Sequence, residues 1–134
     1  MSVGSWDPTV VPVDEASIIP TAWLLECIEL SRSEQLAELN NCVDSEKVQR
    51  YAPLMQREPI EWLHAVESFD SEQLWHLLRF YTVAEDLPGW DAGYRSPVIV
   101  FAKLLKKRGD NISRETLLWI REHSSNRFLP YGPL

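Results

Sequence analysis

The stretch Pro59-Ile60-Glu61-Trp62-Leu63-His64-Ala65-Val66-Glu67-Ser68-Phe69-Asp70-Ser71-Glu72-Gln73-Leu74 holds two helix starts back to back. Proline at a first helical position loses nothing, because its missing N–H would have no intrahelical partner there. Asp70 reads as the N-cap of the second helix. Gln73 completes a variant of the capping box, and Phe69 is placed to staple onto Leu74. Beyond Leu74 the apolar positions Leu77, Leu78, Tyr81 and Ala84 keep to one helical stripe.

The same two-part unit recurs on either side. Pro20, Pro59 and Pro97 are separated by 39 and 38 residues, and Trp23 and Trp62 stand at the same offset from their prolines, with Val100 in the third place. Second starts come at Ser33-Glu34-Gln35-Leu36, Ser71-Glu72-Gln73-Leu74 and Ser113-Arg114-Glu115-Thr116-Leu117. Gly109 suits the left-handed residue that ends a helix, and Lys106, Lys107 and Arg108 before it complement the helix dipole. The run Val98 to Leu105 is apolar nearly all round, which predicts a central helix. Between the first two units, Val48, Tyr51, Ala52 and Met55 form a further stripe broken at Pro53. It reads as an extra helix or as a bent extension of the one from Ser33.

A period near forty with two helices per unit is the pattern of stacked helical hairpins. The expected fold is all-α, three stacked hairpins resembling the HEAT and armadillo class. The alternative is a compact bundle of six or seven helices. Residues 1–134 are expected to form a single domain, with an extended arm over 1–19, the hairpins over 20–124 and an extended tail over 125–134. The tail carries Phe128, Leu129, Tyr131 and Leu134 and is expected to fold back over the last hairpin.

The chain has 134 residues, 45% hydrophobic and 25% charged, which is globular composition for one domain. Its net charge of -7 argues against general binding to nucleic acid or an anionic membrane. That charge is unevenly spread: residues 1–86 hold 16 acids and 5 bases, residues 87–134 hold 4 acids and 8 bases. The opening Met1–Pro8 has neither the basic nor the apolar region of a secretory signal, and no apolar run is long enough to span a bilayer. Cys27 and Cys42 show no metal-site spacing and read as reduced thiols. A cytoplasmic protein without a cofactor is expected.

Three sets of residues are candidates for function. The loop Leu87-Pro88-Gly89-Trp90-Asp91-Ala92-Gly93-Tyr94-Arg95-Ser96 brings aromatic and arginine side chains together between two turns, the composition of an interface anchor. Trp90, Asp91, Tyr94 and Arg95, with Arg127 from the tail, are therefore the expected surface for a protein partner. The competing reading puts Trp90 over the core and pairs Asp91 with Arg95. Lys103, Lys107, Arg114 and Arg121 are the alternative, a basic face for phosphate or nucleic acid, though without the interleaved aromatics of an RNA reader. Glu61 and His64 have the i,i+3 spacing of half a di-iron motif, but the second half is missing, so a metal-dependent enzyme is the weakest reading. No nucleophile, phosphate-loop or dinucleotide motif is present.

The segments Leu87-Pro88-Gly89-Trp90-Asp91 and Ser125-Asn126-Arg127-Phe128-Leu129-Pro130-Tyr131-Gly132-Pro133-Leu134 resemble those of small, functionally uncharacterised helical proteins of proteobacteria. That resemblance implies no activity. The leading expectation is a protein-interaction or regulatory module.

Overall fold

A computed structural model describes residues 19–110, 112–124, 126 and 129. Among these there is no strand. Six helices of seven residues or more are joined by turns and short one-turn segments: α1 (Thr21–Arg32), α2 (Ser45–Tyr51), α3 (Pro59–Val66), α4 (Ser71–Ala84), α5 (Pro97–Lys107) and α6 (Arg114–His123). The all-α class is as expected. No helix in the described residues is long and apolar enough to cross a membrane.

The predicted starts are built as the chemistry requires. Pro59 and Pro97 occupy the first helical position, and Pro20 sits just before α1 in extended conformation. Asp70 accepts from the Gln73 N–H at 2.8 Å while the Gln73 side chain accepts from the Asp70 N–H at 3.0 Å, so both halves of the capping box are made. Ser113 caps α6 by accepting from the Thr116 N–H. Gly109 comes after α5 with φ 88°, the left-handed geometry that closes a helix.

One start is not used as expected. Ser33 ends α1 instead of opening a helix. The Gln35 N–H reaches back to the Leu30 carbonyl across Glu34, whose φ of 59° makes it left-handed. This is the hydrogen-bond pattern of a Schellman stop, and it reverses the chain before a new helix can propagate. The chain then makes only a 3₁₀ turn, Leu36–Glu38, and one helical turn, Leu39–Cys42. The stripe from Val48 is the separate helix α2, capped by Asp44. Pro53 tightens the chain beyond it into a 3₁₀ turn over Ala52–Gln56.

The central helix is α4, not α5. It packs along both α1 and α5 and also meets α6, while α3 lies against α5. Its buried residues run round most of its circumference: Leu74, His76, Leu77, Leu78, Phe80, Tyr81, Thr82 and Ala84. The principal helix pairs therefore link one sequence unit to another, in the manner of a compact bundle around α4.

An aromatic cluster forms the core. Trp23 and Trp62, the repeat-equivalent tryptophans, both converge on Tyr81. The Trp23 indole N–H donates to the Tyr81 hydroxyl at 3.0 Å, and its ring stacks on Tyr51 at 4.1 Å. Trp62 meets Tyr81 and Phe101 edge-on, at 5.3 and 5.9 Å. Burial pushes the Tyr81 phenol and the Cys27 thiol well up, so both stay neutral inside this cluster. Arg108 ties the helix ends together, donating to the carbonyls of Glu67 and Phe69 in the α3–α4 turn.

Candidate functional site

The loop from Leu87 to Ser96 has the expected turn but not the expected exposure. Leu87 to Trp90 close a turn through the Trp90 N–H and the Leu87 carbonyl, with Gly89 at φ 79°. A type II turn needs that positive φ at its third residue. The turn drives Trp90 inward. Its side chain is 0% exposed, lies between Trp23 and Tyr81, and donates its indole N–H to the Val48 carbonyl at 2.9 Å. Trp90 is a core residue that fixes the loop to α2, and is withdrawn as a surface anchor. A tryptophan buries more apolar area than any other side chain, and here that gain decides its direction.

Arg95 is committed elsewhere as well. Its guanidinium donates to the Gln56 carbonyl at 2.9 Å and lies 3.4 Å from the Glu58 carboxylate. The expected Asp91–Arg95 pair is replaced by these contacts, which clamp the loop onto the start of α3. Asp91 is exposed. Tyr94 is 69% exposed and remains a surface residue. Arg127 lies outside the described residues.

Tyr94 lines a groove of about 470 Å³ between α3 and α5. Pro59, Ile60 and Leu63 form one side, and Ile99, Val100 and Leu104 the other. Lys103 and Lys107 line the same groove. The structure thus joins one residue of the expected partner surface to two of the expected phosphate set. Arg114 and Arg121 are exposed on α6 and do not line it. No family model, curated protein or solved structure matches this chain. The reading of the site therefore rests on its own geometry.

The groove's apolar wall was the part that sequence reasoning missed. Ile60 and Leu63 fall on a different side of α3 from Trp62 and Val66, so this short helix carries two apolar stripes. The Trp62–Val66 stripe is fully buried in the core, and Leu63 is half-buried against its edge. Ile60 is 54% exposed. The all-round apolar character of α5 has the same origin: Val98, Phe101 and Leu105 face the core, and Ile99 and Leu104 face the groove.

A second cleft, of about 580 Å³, lies between α4 and α6. There the Arg79 guanidinium sits 4.8 Å from the Trp75 ring and 5.2 Å from that of Trp119, with Glu34 at 3.8 Å. These contacts dock α6 on α4. At the weak metal candidate the Glu61 carboxylate accepts from the Glu58 N–H and pairs with Arg57, and His64 is exposed. Among the described residues no group of three His, Cys, Asp or Glu is placed to hold a metal ion.

A buried polar network supports the groove from behind. Glu85, at the end of α4, accepts from the Ser96 hydroxyl and, at 2.9 Å, from the Asn126 amide. Asn126 also donates to the Gly93 carbonyl at 2.9 Å, and Leu129 is buried. This part of the tail is folded back, and it braces the turn that presents Tyr94.

Burial pushes the Glu85 carboxyl up, against the opposing pull of the Ser96 and Asn126 hydrogen bonds, and Asp86 and Asp91 add to the rise. A raised folded-state pKa gives stability that is full below the ordinary carboxylate range and lost as pH climbs through the raised value. Glu85→Gln keeps the hydrogen-bonding shape without the charge. We expect it to gain on the wild type between acid and neutral pH in chemical unfolding. Glu85→Leu strands two buried partners and should lose about 1–3 kcal/mol. A wild type that instead gains on Glu85→Gln as pH rises would reverse the assignment.

Proposed function

We propose that the protein is a non-catalytic interaction module working in the reducing cytoplasm, and that the α3–α5 groove receives a segment of a protein partner. The observation that carries this reading is the pairing of exposed Ile60 and Tyr94 with an apolar cleft between two helices. Apolar side chains gathered along one preformed cleft, as opposed to scattered singly over a surface, mark a docking site. The two lysines along the same cleft add charge that a partner can match. Free thiols at Cys27 and Cys42 support the compartment.

A photo-crosslinking amino acid at position 94, compared with one at position 121, tests the reading in a native lysate. We expect a discrete adduct from position 94 only, lost in Ile60→Glu. That variant should unfold within about 0.5 kcal/mol of the wild type, as surface changes do. Identical adducts from both positions, or an adduct indifferent to Ile60→Glu, would remove the groove from consideration. Sedimentation equilibrium covers the remaining occupant. A concentration-dependent dimer dissolved by Ile60→Glu would assign the groove to a second copy of this chain and overturn the foreign partner.

A further inference from the structure

We infer that the occupant of the groove is a short amphipathic helix carrying acidic residues along one edge; this rests on the groove reading above. The first ground is where the chain leaves positive charge uncompensated. Every lysine and arginine from Arg32 to Arg95 lies within 4 Å of a carboxylate. Arg108 is spent on the Glu67 and Phe69 carbonyls. Among the described residues Lys103, Lys106, Lys107, Arg114 and Arg121 have no ion pair or hydrogen bond, and of these only Lys103 and Lys107 line the groove. In a chain of net charge -7, two unpaired lysines against an apolar cleft are a local reversal of sign.

The second ground is spacing. Lys103 and Lys107 are four residues apart on α5, so they stand on one side of the helix about 6 Å apart along its axis. Carboxylates at i and i+4 of a helix laid beside α5 have the same separation. The opposite wall, α3, has 8 residues and is about 12 Å long, room for two turns of a bound helix. Such a helix presents apolar anchors at i, i+3 or i+4, and i+7, which is how helices fill grooves between helices.

The third ground is what the site disfavours. An anionic membrane attracts clusters of about four or more free basic side chains, whereas here Arg108 is committed to the Glu67 and Phe69 carbonyls and three lysines remain on a strongly acidic chain. A bare phosphate would use the lysines but leave Ile60 and the outer faces of half-buried Leu63, Ile99 and Leu104 uncovered. A ligand with an apolar stripe and an acidic edge uses both halves of the groove.

The test uses three synthetic two- to three-turn peptides with one shared leucine face and acidic, glutamine or lysine edges. Each is labelled with fluorescein and titrated with the full chain by anisotropy. The acidic peptide is expected to bind about tenfold or more tighter than the glutamine peptide, the difference shrinking near 1 M salt where screening acts within about 3 Å. Lys103→Glu/Lys107→Glu, with unchanged circular dichroism, should reverse the order in favour of the lysine peptide. Equal binding of all three, lost in Ile60→Glu, would keep the groove and overturn the acidic partner. Binding of none, or binding untouched by Ile60→Glu, would overturn the groove itself and this inference with it.

Discussion

Trp90→Ala should lower the free energy of unfolding by about 3–5 kcal/mol, the range for truncating a fully buried tryptophan. The side chain is 0% exposed, and three losses coincide when it goes. The edge contact with Trp23 and the stacked contact with Tyr81 disappear, at 6.1 and 6.0 Å between ring centroids. The Val48 carbonyl loses the indole N–H that now satisfies it. A domain of this length is stable by roughly 7–20 kcal/mol, so the loss is a large fraction of the whole. Urea unfolding followed by circular dichroism measures it. The same variant releases the loop that presents Tyr94, so peptide binding at the groove should weaken too. A change under about 1 kcal/mol would mean that the indole is not packed as described and would reopen the surface reading of the loop.

The misreading of Trp90 shows where sequence stops being informative. Pro88, Gly89 and Gly93 identify the turns correctly, because turn geometry is local and depends on which residues tolerate positive φ. Whether a tryptophan inside such a loop points in or out depends on whether a hole of its size lies beneath it. That hole is made by Trp23 from α1, Tyr81 from α4 and the Val48 carbonyl from α2, so it belongs to the assembled bundle. Helix starts were legible for the converse reason. Asp70 with Gln73, Ser113 with Thr116 and the prolines at first helical positions act within one turn of chain. Ser33 is the instructive exception. Its Ser-Glu-Gln-Leu sequence matches that at Ser71, but the cap also needs a residue before it that can enter a helix afresh. At Ser33 the chain is still leaving α1 through Glu34.

The candidate site was legible only in parts. Tyr94, Lys103 and Lys107 could be nominated one by one from residue type, but nothing local says that they share a groove, since that depends on α3 lying beside α5. The signal overlooked was an excess of apolar positions. Ile60 and Leu63 on α3, and Ile99 and Leu104 on α5, exceed what a single core-facing stripe requires. A short helix with two apolar stripes is either buried on both sides or has one side awaiting a partner. By that rule, the all-round apolar run from Val98 to Leu105 marks a surface as well as a core.

The second large effect separates two tryptophans that sequence treats as equivalent. Trp23→Ala and Trp62→Ala should each cost about 3–5 kcal/mol, because both side chains are buried against the Tyr81 cluster. Their phenylalanine variants should differ. The Trp23 N–H donates to the Tyr81 hydroxyl, and its ring stacks on Tyr51, so Trp23→Phe removes a buried hydrogen bond and part of a stack together with volume. The Trp62 N–H is buried with no hydrogen-bond partner among the described residues. An unsatisfied buried donor costs about 1–3 kcal/mol, so deleting it returns some of what the smaller ring loses in packing. Trp62→Phe should therefore be milder than Trp23→Phe by about 1–2 kcal/mol in unfolding experiments. The edge-on contacts of Trp62 with Tyr81 and Phe101 survive in kind when a phenyl ring replaces the indole. Equal losses for the two phenylalanine variants would show that the Trp62 N–H is in fact satisfied, and a larger loss at Trp62 would make its volume, not its polarity, the governing term.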